Sequence, residues 1–172
     1  MASEIGVQTI QHTNGTDAMT IDSSGRVNQP ALPAFFALGT ASGYQACATS
    51  NTVITEWSTS GTGYVSHGGL THSSGVVTVP IAGIYEVTGS VLTETDNAEY
   101  CLLMIYQNSD RIALCQMYNE SAGGQIENTA TVHAFANCAA GDEITLRQQG
   151  GNTSTRWYNN GSYGTFGVRL VG

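Results

Sequence analysis

From Pro33 onward the chain alternates short apolar runs with polar punctuation, and no helical spacing is sustained. Ala34-Phe35-Phe36-Ala37-Leu38 stops at Gly39, Val53-Ile54-Thr55-Glu56-Trp57 is closed by Ser-Thr-Ser-Gly, and Val76-Val77-Thr78-Val79 ends at Pro80. Gly83 opens a run from Ile84 to Leu92. Runs of this length, rich in β-branched and aromatic residues and bounded by Gly, Pro, Asn and Ser, read as strands. The clearest hairpin joins Tyr100–Tyr106 to Arg111–Tyr118 through Gln107-Asn108-Ser109-Asp110. Centring it on Ser109 sets Cys101 opposite Met117 and Cys115 opposite Leu103. Ile126 to Ala136 is ambiguous: Val132, Phe135 and Ala139 suit a helix face, whereas the Thr-rich lead-in favours a strand. Glu143 to Arg147 alternates cleanly. In Tyr163 to Val171, Phe166, Val168 and Leu170 share one face, and a strong terminal strand of this kind in a sandwich is expected to sit centrally, paired on both sides. Roughly eight to ten such strands predict an all-β antiparallel sandwich or barrel.

Residues 1–31 differ from the head that follows, residues 32–172. They are polar, end in Asn28-Gln29-Pro30, and hold one short alternating run, Ala18 to Asp22. Ser23-Ser24-Gly25 supplies a turn and Arg26-Val27 can begin a return strand. A lone ribbon of this size buries too little apolar surface to be stable by itself. The segment therefore reads as an arm that lies on something else.

Composition narrows the function. Thr, Ser, Asn and Gly make up 68 of 172 residues, which suits turns and wet strand faces rather than helices. Lysine is absent, and the five cations are Arg26, Arg111, Arg147, Arg156 and Arg169, against thirteen carboxylates and a net charge of −8. Neutralising a nucleic-acid backbone needs a basic stripe that these five residues cannot assemble, so neither nucleic acid nor an anionic membrane is an expected partner. No run reaches the roughly 18 to 20 apolar residues of a membrane span, and the first residues lack the pattern of a secretory signal.

Candidate chemistry is sparse. Cys47, Cys101, Cys115 and Cys138 match neither a zinc nor a redox spacing and read as buried free thiols; the predicted hairpin puts Cys101 and Cys115 about 7 Å apart, too far for an unstrained disulfide. His67 and His72 lie in a Gly-rich stretch expected to be an exposed loop, with no third ligand to complete a metal site. Glu94, Asp96 and Glu99 form an acidic run that could offer calcium its oxygens but reads as a solvated turn. No nucleophile elbow or phosphate loop is present, so neither a catalytic residue, a metal nor a cofactor is expected. Trp157 and Tyr158, in Arg156-Trp157-Tyr158-Asn159-Asn160-Gly161, read as an exposed tip able to stack on sugar rings.

Three stretches carry a family resemblance. Val79-Pro80-Ile81-Ala82-Gly83-Ile84-Tyr85-Glu86-Val87 resembles the signature of the globular head of complement's first component and its tumour-necrosis-factor-like relatives. Ala140-Gly141-Asp142-Glu143-Ile144 resembles the family's Gly-Asp pair before its penultimate strand, and Gly164-Thr165-Phe166-Gly167-Val168-Arg169-Leu170 its closing strand. Glu86 departs from a position often aromatic there, and the secreted members' signal peptide and collagen-like stalk have no counterpart. In the arm, Asn14 to Val27 is similar to a segment found in tailed-phage structural proteins just before such heads. The resemblance implies a ten-stranded jelly roll, trimeric about a three-fold axis, with a short extended N-terminal arm. Surplus apolar faces on Tyr100–Tyr106 and Val132–Cys138 also suggest association. Tyr85, His133 and Phe135 are the candidates for the trimer interface. The expected function is a non-enzymatic capsid decoration or cement protein. It would be made in the host cytoplasm, carried on the virion surface, and bound through its arm to the major capsid protein or another virion protein. The alternative is the tip of a tail or head fibre, recognising a host glycan through Trp157 and Tyr158.

Overall fold

A computed structural model of the chain describes residues 6–13, 15, 17–29, 31–96, 98–120 and 124–172. Asn14 and Thr16 of the arm motif, Pro30 at the arm's end and Asn97 within the acidic run lie outside them. Three strands form the arm: β1 (Thr9–Gln11), β2 (Asp17–Ile21) and β3 (Val27–Asn28). They pair in sequence order as an antiparallel sheet, one strand more than the expected ribbon. Asp22 shapes the second turn, its carboxylate accepting from the Ser24 and Arg26 amides at 2.9 and 3.0 Å and ion-pairing with Arg26 at 2.7 Å. No described residue between 6 and 29 is buried, and Val7, Ile10 and Val27 are exposed. Among its described residues the arm has turn chemistry and a ladder but no core.

The head is all-β among the described residues. Its strands are β4 (Ala34–Leu38), β5 (Gln45–Ala46), β6 (Thr52–Val53), β7 (Tyr64–His67), β8 (Thr71–Ser73) and β9 (Val76–Thr78). They continue with β10 (Gly83–Thr95), β11 (Tyr100–Gln107), β12 (Asp110–Tyr118), β13 (Ile126–Cys138), β14 (Glu143–Gly150), β15 (Arg156–Tyr158) and β16 (Thr165–Leu170). In the first sheet, β13 pairs with β10, which continues to β16, β4 and β7; β15 and β5 extend the far end of β10. The second sheet runs β12-β11-β14-β9-β8, with β6 beside β14. These segments outnumber the expected ten, and β5, β6, β8, β9 and β15 are each only two or three residues long.

Alternation builds the core. Along β10, Tyr85, Val87 and Val91 point inward while Glu86, Thr88 and Ser90 lie on the other face. Their inward partners are Phe35, Phe166 and Val168 on the first sheet, with Leu103, Ile105, Ile144 and Leu146 on the second. The Thr-rich run is a strand throughout and pairs with all of β10, from Gly83↔Cys138 to Thr95↔Ile126. The terminal strand β16 lies between β10 and β4. Val53 to Trp57 is not one strand. The Ile54 amide donates to Leu146 of the second sheet at 2.9 Å, and Trp57 bridges to Gly39 beside the first, so this segment crosses the end of the sandwich.

Candidate functional site

In the first sheet, register sets out the face turned away from the core. One row holds Phe135, Glu86, Arg169, Ala34 and His67; the next holds His133, Thr88, Gly167, Phe36 and Val65. Phe135 is 62% exposed, and Ile84 and Val65 are exposed as well. Between Thr88 and Phe36 the chain has Gly167, where an added Cβ would meet the Thr88 hydroxyl at 2.8 Å and the Phe36 ring at 3.6 Å. The missing side chain leaves a groove of about 320 Å³, walled by Phe36, Val65 and Thr88, with Glu86 and Arg169 at one end.

The charges on this face are paired. Glu86 ion-pairs with Arg169, and its other oxygen lies 3.1 Å from His133 Nε2. The Arg169 guanidinium, then His133, hold the Glu86 carboxyl below its ordinary range. The His133 ring meets Phe135 edge-on, centroids 5.0 Å apart. Of these ten positions, Phe135, Ala34, Gly167, Phe36 and Val65 are apolar or small, and they flank the ion cluster of Glu86, Arg169 and His133.

Of the three interface candidates, His133 and Phe135 share this face, but Tyr85 does not. It is fully buried in the sandwich and its hydroxyl donates to the Ile81 carbonyl at 3.0 Å. Alternation forces this, because Tyr85 and Glu86 must take opposite sides of β10. Trp157 also needs correcting: it is 4% exposed and packed in the core, since β15 pairs with β10 and β5 and turns it inward. Tyr158 faces outward between Tyr44 and Tyr163, ring centroids 5.2 and 5.5 Å away. Tyr44 donates to Glu127, a bond that pushes its phenol pKa up to about 12.

The remaining suspects resolve into structural roles. Glu94 is a buried strand residue, not part of a solvated turn, and accepts from Arg156 Nε at 2.6 Å. His67 and His72 lie on β7 and β8 rather than in an exposed loop. The His72 ring packs 4.8 Å from Phe35, both nitrogens without a partner, and burial lowers its pKa. Among the described residues, no three His, Cys, Asp or Glu side chains converge to hold a metal ion. On the outer side of β11, Tyr106 and Met104 are buried within the chain, the Arg147 guanidinium stacking 4.2 Å over Tyr106, while Tyr100 and Leu102 are half-buried. The outer side of β13 is polar except for Phe135.

Sequence reading missed the Gly167 groove and the Glu86–Arg169 pair. Its one signal was Glu86 itself, a charge where relatives often carry an aromatic ring; only strand register shows that Arg169 lies opposite.

No family model matches the chain, and no curated protein matches it in sequence. Among solved structures, that of the Eiger TNF from S. frugiperda superposes with a TM-score of 0.64 over 82% of this chain and 93% of that one, at 15% identity. The fold is tumour-necrosis-factor-like. At 15% identity the likeness concerns architecture, and it agrees with the antiparallel two-sheet order described above.

Proposed function

We propose that this chain is a non-enzymatic structural protein of a tailed-phage virion, a homotrimer of ten-stranded jelly-roll heads fixed to the particle exterior as a decoration or cement protein. The observation that carries this reading is the division between a head with a complete core and an arm with none. A three-stranded sheet whose described residues are all outside any core takes its burial from another surface. The similarity of residues 14–27 to arm segments of tailed-phage proteins supports a virion shell protein as that surface. The outer face of the first sheet, with Phe135, Phe36 and the Gly167 groove, supports a second copy as its partner. The tumour-necrosis-factor-like fold favours three copies. The acidic, lysine-free composition speaks against nucleic acid.

Trimerisation gives the arms their grip. Three arms on one particle act at a high effective concentration, so contacts that are weak singly hold together. Host-glycan attachment is less well supported, because Trp157 is buried and the tyrosines around Tyr158 are engaged with one another and with Glu127.

Deleting residues 1–31 is expected to leave a folded trimeric head that no longer rebinds virions stripped of the protein. Co-sedimentation of the full chain and the truncated chain with such particles checks this. Undiminished binding by the truncated chain would remove the arm from the account.

A further inference from the structure

Two of the four thiols meet inside the head. Cys47 follows β5 on the first sheet and Cys101 lies on β11 of the second; both are buried, and their sulfurs are 3.3 Å apart. The backbone holds each in place. The Cys47 amide donates to the Thr155 carbonyl at 2.8 Å and the Gly150 amide to the Ala48 carbonyl at 2.8 Å, while Cys101 pairs with Gly150 in the ladder. Gly150 makes the approach possible, since a Cβ there would lie 2.5 Å from the Cys47 Cβ. The Cys115 sulfur, by contrast, lies 3.9 Å from the Met117 thioether.

We propose that Cys47 and Cys101 are a latent inter-sheet disulfide, free thiols in a reducing compartment that become a covalent staple once the protein meets a disulfide oxidant. The chemistry is thiol–disulfide exchange with an external disulfide R–S–S–R. One cysteine thiolate attacks an oxidant sulfur and expels RS⁻, giving a mixed disulfide. The second thiolate then attacks the protein sulfur, expels another RS⁻ and closes the bond. Both thiols lose their protons, the cysteines are oxidised by two electrons, and the oxidant leaves as two thiols. The contact with the Cys101 sulfur, and then burial, hold the Cys47 thiol protonated, so the attack waits for local opening at the two-residue strand β5, or occurs while the sheets are still docking. The staple closes a long loop and joins opposite layers of the sandwich, where a crosslink restricts the unfolded chain strongly. The inference does not depend on the virion reading.

The test treats the full chain with oxidised glutathione in two arms, one native and one during refolding from denaturant, so that burial cannot hide the reaction. Combined cleavage after Glu and Arg puts the four cysteines in four separate peptides. Non-reducing mass spectrometry is expected to find the Cys47 and Cys101 peptides joined, two hydrogens lighter than their sum. The oxidised protein should melt on the order of 10 °C above the reduced one. Cys115→Ala should retain both effects, and Cys47→Ala should lose both. Absence of the joined peptide from both arms overturns the proposal, as does a bridge to Cys115 or Cys138 instead. A bridge that forms without raising the melting temperature overturns its role as a staple.

Discussion

Phe135→Asp is expected to turn the proposed trimer into a folded monomer. Phe135 is 62% exposed in the single chain and touches its own subunit mainly through His133, so the isolated head should tolerate the change within about 0.5 kcal/mol. In an assembly that covers the first sheet the same change removes a buried ring and inserts a carboxylate, costing roughly 3 kcal/mol per copy. Within each chain the new charge lies opposite Glu86 in the ladder, a like-charge repulsion that belongs to the head's own small loss and not to the association. With three copies per assembly, association should weaken by several orders of magnitude. Sedimentation equilibrium should then report one chain mass while circular dichroism stays that of a β protein. A Phe135→Asp protein that remains trimeric would place the contact on another face.

Tyr85→Ala should instead act on the fold. Its side chain fills the centre of the sandwich at 0% exposure, among the inward residues of β10. Truncating a buried aromatic to Ala costs about 3–5 kcal/mol in transfer and cavity terms. For a chain of this length that lowers the melting temperature by roughly 10 °C or more. Tyr85→Phe keeps the ring and loses only the bond to the Ile81 carbonyl, about 1 kcal/mol. Thermal melts of the two variants separate packing from hydrogen bonding. An Ala variant that melts like the parent but loses its partner copies would restore Tyr85 to the interface.

How much of this could be read in advance depended on whether one strand or several had to be known. Within β11 and β12 the Cys101–Met117 and Leu103–Cys115 pairs followed from turn position alone. The turn is in fact one residue tighter than Ser109 suggests, and a bulge between Ile105 and Tyr106 restores the register. Alternation put Phe166, Val168 and Leu170 on one face, where the first two are buried and Leu170 is half-buried against the core. The fate of Trp157 could not be read this way. Asn and Gly around it signal a loop, yet three residues pair across β10 and β5, and that pairing decides which of Trp157 and Tyr158 turns inward. Tyr85 shows the opposite fault: its motif was recognised, but the side of the sheet it occupies was not followed through. The groove at Gly167 required three neighbouring strands in register, information that no local pattern contains. The arm's first strand was missed because three exposed residues, Thr9 to Gln11, carry no amphipathic signal.

The claim beneath the functional reading is that the open face of the first sheet is closed by two further copies of the chain. Sedimentation equilibrium of the full-length protein measures this most directly. The account predicts a single species of three times the 18.0 kDa chain mass across dilution into the micromolar range. A homogeneous 18.0 kDa species at those concentrations would contradict it.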